Sequence, residues 1–416
     1  MVDQRRIDDQ RFVDAETAAR HLGIQLRTLY AYVSRGKVRS LPGEHGRPRL
    51  YALADLERLR VRRDARAGHG AVAAGALRWG EPVLDSAITA ITARGPVYRG
   101  HLAVELAAAG VRFEAVAELL WTGYLPQSPV AWPRMAISLA TLSRMLTTEP
   151  PPITAMSLLV PLAAIAAPAR ARDATAIMEH GRRLVPLLAV ALAPGLAAAT
   201  ATRALGAGSI AAIAARALGL DDDAAPHLDH ALVLLADHEL NASSFAARIA
   251  ASTDADPYAC IAAALATVSG PRHGSASEEV AKFADEVGDA GAARAAVRAL
   301  RKRGEVPPGF GHPLYPAGDP RATSLLELVR TLPPRKRTRT LLAIVDATAD
   351  AKPSVDVALA ALVAALGAPA AAGSGLFAVA RSAGWLAHVL EQRAAGFLLR
   401  PRARYVGVPL VGIRPA

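Results

Sequence analysis

Six side chains stand where their neighbours suit them to acid-base work beside an anion. His273 lies in SGPRHGSASEEVAKF (269–283), where Gly270 and Pro271 force a turn and Ser275-Ala-Ser-Glu278 spells a capping box that opens a helix. An imidazole just ahead of a helix N-terminus meets the positive end of the macrodipole, stays neutral and can donate a hydrogen bond. His312 lies in PPGFGHPLYPAGDPRATSLLELV (307–329), where Gly309, Gly311, Pro313 and Pro316 make a stiff loop and Pro313 holds His312 extended. In the same segment Asp319 caps a helix with Pro320 at its first position. Arg321 then falls in the first turn, a poor place for a cation unless an anion sits there. Asp356, after Pro353 and Ser354, is at a helix start that suits a carboxylate. Arg381 interrupts the apolar run LFAVARSAGWLAH and needs a counter-charge from protein or ligand. His238 sits with Asp237, Glu239 and Asn241 in LLADHELNASSFAARIAAST (234–253), which also reads as the capped start of a helix. Taken singly, His273 reads as a surface-loop histidine and Asp356 as an ordinary first-turn acid.

The elements that must hold these side chains are helices. From Val83 to Gln392 the recurring pattern is an apolar stripe of period 3.6 broken by Gly, Pro or Asp, as in FEAVAELLWTG, SEEVAKFADEVG and SVDVALAALVAALG. No alternating strand pattern and no βαβ rhythm is found there, so the fold class is all-α. Of the 416 residues 52% are hydrophobic, 20% charged and only 5% aromatic. That composition excludes disorder and leaves Ala, Leu and Val to fill the core. Two uncharged stretches, 151–169 and 184–202, approach a membrane span in length. Prolines interrupt both and Ala outweighs Leu, so they are expected to be buried core helices. The opening MVDQRRIDDQ has no apolar segment of a secretory signal, and a cytoplasmic protein with no membrane contact is expected. The single cysteine, Cys260, excludes an intramolecular disulfide and a Cys-ligated zinc site; no metal is expected, and Cys260 reads as a small core residue.

Charge divides the chain. Residues 1–66 hold 15 Lys plus Arg against 9 Asp plus Glu, a net +6 of the total +11. A positive field of this kind attracts phosphate backbones. Ala15–Leu22 has helical spacing and ends at Gly23. In IQLRTLYAYVSRG (24–36) Leu26, Leu29, Tyr30 and Val33 would form the inward stripe, leaving Gln25, Arg27, Thr28, Tyr32 and Arg35 outside. KVRSLPGEHGRPRLY then reads as a two-stranded wing carrying Arg47 and Arg49. Residues 13–59 resemble the MerR-like winged helix-turn-helix family, which implies a module over 1–66 whose second helix enters the major groove of duplex DNA. A small-residue linker is expected over 67–79.

The remainder resembles citrate synthase. YRGHLAVELA (98–107), FEAVAELLWTGYLP (113–126), ADHELNASSFAARIAAST, GPRHGSAS, GFGHPLYPAGDPRA, LFAVARSAGWLAHVLEQ and RPRARYVG match the family's motifs in the family's order. The resemblance implies an all-α homodimer over 80–416, with a small domain at roughly 273–365 and a large domain in the rest. It implies acetyl-CoA and oxaloacetate as substrates and no cofactor. It makes Asp356 the base, His273 the donor to the thioester oxygen and His312 the group that polarises the ketone. His238, Arg321 and Arg381 would grip the oxaloacetate carboxylates, and the partner's Arg400 would reach across. The chemistry of the residues is consistent: a weakly acidic thioester α-proton needs a base and a fixed donor for the growing oxyanion, and arginines suit carboxylates. Departures are Ser277 for the family's Asn, Pro313 for its Arg, and SVDVALA for a segment like NVDFYSG. They leave room for a different acyl-CoA, as in 2-methylcitrate synthase, or for a regulator that uses the helical part as a metabolite sensor.

Overall fold

A carboxylate ahead of an apolar stripe starts the first helix of the computed structural model, Asp14 Oδ1 accepting the Thr17 N–H at 2.7 Å. The structure describes residues 6–7, 10–22, 24–35, 37–42, 49–53, 55–56, 59, 84–134, 149–167, 173–193, 195 and 197–401. Arg47 and the expected linker at 67–79 lie outside the described residues. The chain divides into two units, Met1–Asp85 and Ser86–Ala416.

In the first unit β1 (Arg6–Ile7), β2 (Gln10–Val13), α1 (Ala15–Leu22), α2 (Leu26–Ser34), β3 (Ser40–Leu41) and β4 (Leu50–Ala52) follow in order. The strands form an antiparallel sheet ordered β1-β2-β4-β3. Its core is Val13, Ala18, Ala19, Leu22, Leu29, Val38, Tyr51 and Leu56, with Tyr32 and Val33 packed against it. This corrects the expected stripe on α2. Leu26 and Tyr30 are exposed, at 38% and 51%, while Tyr32, expected outside, is half-buried. The inward face runs Leu29–Tyr32–Val33, the i, i+3, i+4 set, and Leu26 falls off it at the helix start. Gln25, Arg27, Arg35 and Arg49 are exposed and Thr28 is half-buried.

The second unit opens with a strand feature that the sequence pattern missed. β5 (Thr89–Thr92), β6 (Gly95–Tyr98) and β7 (His101–Leu102) form an antiparallel meander. Strands of four, four and two residues are too short for an alternation to register, and Gly95 and Gly100 supply the left-handed turns at φ +111° and +92°. Helices follow: α3 (Ala103–Ala108), α4 (Phe113–Thr122), α5 (Pro152–Ala166), α6 (Ala174–Val190), α7 (Ala198–Leu205), α8 (Ile210–Ala217), α9 (Ala225–Leu235), α10 (Ala242–Ser252), α11 (Pro257–Val268), α12 (Ala276–Val287), α13 (Ala293–Lys302), α14 (Pro320–Thr331), α15 (Lys336–Ala347), α16 (Val355–Leu366) and α17 (Ala372–Ala395). α17 is the spine, packing on α4, α6, α9, α10 and α11. Helices α12, α14 and α15 gather around α16, whose apolar residues are buried on almost every side.

Among their described residues, both uncharged stretches pack one side into the core, with Leu158 and Ile165 of α5 left exposed, and the second is split between the end of α6 and the start of α7. Among the described residues no helix is long and apolar enough to cross a membrane. Cys260 is buried. Carboxylates on neighbouring helices serve as caps: Asp229 accepts the Phe113 N–H at 2.8 Å, and Glu114 accepts the Ile210 N–H at 2.5 Å. The expected capping box at Ser275 does not form. The preceding turn leaves Ser275 at ψ 8°, its hydroxyl donates back to the Pro271 carbonyl at 3.3 Å, and Glu278 instead accepts from Ser374.

Candidate active site

Four segments bring the sequence-selected residues toward one another. The first is the turn after α9. The buried Tyr98 hydroxyl lies 3.1–3.2 Å from the carbonyls of Val233, Leu234 and Asp237, which fixes the exit of the helix. Glu239 then takes a left-handed backbone at φ +56°, its N–H reaching Asp237 Oδ2 at 3.2 Å. His238 is held between them, 8% exposed, with Nε2 2.9 Å from the Tyr315 hydroxyl.

The second is the loop ahead of α14. Gly309 adopts φ +82°, and a side chain there would meet Val280 and Val357 at 2.6 and 3.0 Å. Its carbonyl accepts the Ser354 N–H at 2.8 Å, and the Gly311 N–H donates to the Lys352 carbonyl at 2.8 Å. These two bonds tie the His312 loop to the start of α16, where Asp356 sits. His312 lies with its ring centroid 5.3 Å from that of His238 and 5.1 Å from that of Tyr315. Its Nδ1 accepts the Leu314 N–H at 3.2 Å, so the neutral ring carries its proton on Nε2.

Asp319 joins the two sides. As the cap of α14 it accepts the Arg321 N–H, binds the Arg321 guanidinium through both oxygens at 3.0 and 2.8 Å, and accepts the Val355 N–H of α16 at 3.1 Å. Arg321 lies 5.4 Å from the Tyr315 ring. On α16, Ser354 caps the helix and its hydroxyl donates to Asp356 Oδ2 at 2.9 Å.

The third and fourth segments are the His273 turn and α17. His273 Nε2 lies 2.8 Å from Ser243 Oγ, and its ring meets the edge of Phe377 at 5.9 Å. Arg381 covers the same phenyl ring at 4.7 Å and donates from Nε to the Leu235 carbonyl at 3.0 Å. Ser243 has one proton to give. Trp385 Nε1 donates to its oxygen at 3.0 Å, while Asn241 Oδ1 and His273 Nε2 both stand within 2.8 Å. Asn241 Oδ1 keeps two backbone donors, Ser243 and Ser244, when the hydroxyl turns to His273. In that arrangement His273 carries its proton on Nδ1, the nitrogen not occupied by Ser243.

Electrostatics separate the groups. Burial, then the Arg321, Arg381 and His312 charges, hold His238 well below the ordinary imidazole range. Burial and Arg381 bring His273 down to about 4. Burial and Arg321 also lower His312, with Asp319 and Asp356 opposing them. Three neutral imidazoles result. Burial opposes the charge on Arg321 and Asp319 more than restores it. Arg381 is brought down to about 10 by burial, with Asp237 pulling the other way and Arg321 adding to the fall. Among the described residues no carboxylate forms an ion pair with Arg381.

His238, His312 and Arg321 therefore share one cluster around Tyr315. His273 and Arg381 meet across Phe377, and Asp356 is close enough to act on both His312 and Arg381. Arg400 is exposed beyond the end of α17. Tyr315, Ser243, Trp385 and Phe377 were not singled out from the sequence. Tyr315 lies three residues from His312 and Phe377 four from Arg381, but the contacts that join them to His238 and His273, and Ser243 to His273 and Trp385, span 30 to 142 residues, which no local spacing encodes. Such a site, with neutral donors, a carboxylate and an unpaired buried guanidinium, suits a small acidic ligand and proton transfer beside it.

The fold is shared with known enzymes. The crystal structure of citrate synthase from Thermotoga maritima MSB8 superposes with a TM-score of 0.66 at 25% identity, covering 81% of this chain and 96% of that one. Residues 76–402 match the family described as citrate synthase, C-terminal domain, and the chain belongs to the citrate synthase family. Citrate synthase 2 of Bacillus subtilis (strain 168) is 41% identical over 184 residues, 42% of this chain and 50% of the relative. The chain thus spans about half of that relative's length. The 2-methylcitrate synthase of Mycobacterium tuberculosis (strain ATCC 35801 / TMC 107 / Erdman) is 29% identical over 332 residues, 74% of this chain and 84% of the relative.

Proposed function

We propose that this chain condenses acetyl-CoA with oxaloacetate and hydrolyses the product thioester, giving citrate and CoA without a cofactor. Oxaloacetate binds through Arg381, Arg321 and His238. Asp356 takes a proton from the acetyl methyl group, and His273 donates from Nδ1 to the thioester oxygen as it gains charge. The enol carbon attacks the oxaloacetate ketone, and His312 gives its Nε2 proton to the new alkoxide. Water then cleaves the citryl thioester.

The observation that carries this reading is Arg381: a 2%-exposed guanidinium beside neutral imidazoles has, among the described residues, no carboxylate paired with it, so an anionic ligand is its natural complement. A homodimer in which Arg400 of the partner subunit completes the carboxylate site accommodates the exposure of that residue in a single chain. A small domain over 273–365 closing on the large one accords with the packing of α12, α14 and α15 around α16.

Release of CoA thiol from acetyl-CoA plus oxaloacetate tests the reaction. Wild type is expected to turn over and Asp356→Ala to fall by ~10²–10⁴-fold, the usual worth of a positioned base. No thiol release from wild type would refute it. Propionyl-CoA in the same assay tests the 2-methylcitrate reading, which the Mycobacterium relative supports.

A second reading rests on the first unit. The exposed Gln25, Arg27 and Arg35 on α2, with Arg49 on the approach to β4, offer a basic face to duplex DNA, and the helical unit would then report a metabolite to it. Salt-sensitive DNA binding that survives removal of residues 1–66 would defeat that reading.

A further inference from the structure

A cavity of about 260 Å³ opens where the starts of α4, α8 and α9 converge. Arg112, Ser209, Asp229 and His230 form its polar wall, and Val111 and Pro226 belong to the apolar remainder. From this end α9 runs eleven residues, about 16 Å, before the turn that holds His238. The cavity uses no residue of the proposed reaction.

Two carboxyls crowd the corner without a cation. Asp229 gives Oδ1 to the Phe113 N–H at 2.8 Å, and among the described residues no group bonds its other oxygen. One residue on, Glu114 accepts the Ile210 N–H at 2.5 Å through Oε1, while its buried Oε2 has no partner. Neither carboxyl forms an ion pair among the described residues. Burial pushes Asp229 up to about 7, and the Glu114 charge adds to the rise. A cation at the free oxygen of Asp229 would meet a need that the fold leaves open.

The opposite charge also lacks a match. Arg112 stands immediately ahead of α4, exposed, and its guanidinium makes no hydrogen bond or ion pair among the described residues. A cation at the positive end of a helix is well placed only when an anion joins it. His230 is already engaged, with Nε2 2.9 Å from the Ser324 hydroxyl, and burial keeps its ring below the ordinary imidazole value. It shapes the wall and adds no charge. The cavity therefore offers one anion, one cation and apolar surface beside them. At roughly 30 Å³ for each water-sized group it has room for about eight or nine non-hydrogen atoms. An aliphatic α-amino acid has that size and those three parts.

We propose that this cavity is a binding site for a small aliphatic α-amino acid, its ammonium group held by Asp229, its carboxylate by Arg112 and its alkyl chain by the apolar wall. The proposal stands apart from the oxaloacetate reading and does not depend on it.

Titration calorimetry of the full chain with L-leucine, paired with the ligand-induced shift in melting temperature, tests it. Isoamylamine serves as leucine without its carboxylate, and isocaproate as leucine without its ammonium group. L-leucine is expected to bind with a Kd below about 1 mM, and each half-molecule about ten-fold more weakly or worse. Asp229→Asn keeps the cap on α4, because an amide oxygen accepts the same Phe113 N–H, and Arg112→Gln alters an exposed side chain. Both variants are expected to fold and to lose about ten-fold in leucine affinity. No binding of leucine to wild type overturns the proposal. So does unchanged affinity in either folded variant, which would put leucine elsewhere on the chain, or a half-molecule that binds as tightly as leucine. Should Asp229→Asn fail to fold, Arg112→Gln decides: unchanged affinity overturns the site, and weaker binding at unchanged melting supports it.

Discussion

Arg321 and Arg381 are equally buried, at 2% exposure each, and the fold treats them in opposite ways. At the start of α14, Asp319 closes on Arg321 through two oxygens and also holds the first N–H of α16. Ligand or no ligand, that corner is complete. On α17, Arg381 spends one N–H on a carbonyl and lies over a phenyl ring, and the charge of Asp237 acts on it without an ion pair. The first arrangement is a strut that holds its cation in place whether or not a ligand comes to it. The second is a binding group whose charge waits for a partner. Burial alone does not separate the two; the count of oxygens around each guanidinium does.

Substitution of each arginine by glutamine gives the largest expected contrast. Arg321→Gln leaves Asp319 buried without its cation, and breaking such a pair costs about 3–5 kcal/mol of folding stability. Arg381→Gln costs far less stability, because among the described residues no carboxylate is paired with it to be left without its cation. Its loss is in oxaloacetate affinity, by about 2–5 kcal/mol, the usual cost of removing one partner from a desolvated charge pair. Urea unfolding and ligand titration of the two variants separate these outcomes. Equal losses of stability would erase the distinction.

Part of this contrast was legible in the sequence. Arg321 after Asp319-Pro320, and Arg381 inside an apolar run, each announce a buried cation in need of an anion. What the spacing does not say is where the anion comes from. Asp319 is two residues from Arg321 and could have been paired with it, since a cap oxygen lies over the first turn. Asp237 is more than a hundred residues from Arg381 and could not. The same limit explains Tyr315, joined to His238 across the chain, and Ser243, joined to both His273 and Trp385. Helices were readable because an apolar period is a local property; the β5–β7 meander was not, its strands being shorter than the period needs. On α2 the stripe was misplaced by taking Leu26 and Tyr30 as inward on hydrophobicity, where Tyr32 packs instead.

The imidazole cluster and the helix caps at Asp229 and Glu114 make a second contrast, visible in pH. His238, His273 and His312 are all held below the ordinary value of 6.5, so they are neutral when folded and gain protons on unfolding in acid. Their contribution is present above about 6.5 and is lost as pH falls toward about 4. Asp229 and Glu114 run the other way. Burial raises both, Asp229 to about 7, so the stability linked to their protonation is present in acid and is lost as pH rises through that value. The two slopes oppose each other, and wild type should show a nearly flat urea midpoint between about pH 4.5 and 7. Asp229→Asn should expose the histidine slope, falling toward acid. His273→Gln should steepen the decline toward pH 7. Each change amounts to no more than about 2 kcal/mol across the window once solvent screening is allowed. Identical profiles in all three proteins would mean that these groups do not titrate as their surroundings dictate.

The smallest expected effect asks whether Asn241 belongs to the scaffold or to the site. Its Oδ1 caps α10 through the Ser243 and Ser244 N–H groups and also competes with His273 for the Ser243 proton. Asn241→Ala removes the cap at a cost of about 1 kcal/mol. It also leaves the Ser243 hydroxyl with His273 as its acceptor, which favours the Nδ1-protonated ring. Melting should therefore fall slightly while CoA release per site stays level or rises. A drop in turnover larger than the drop in stability would place Asn241 with Arg381, among the groups that hold substrate, and not with Asp319, among those that hold the fold.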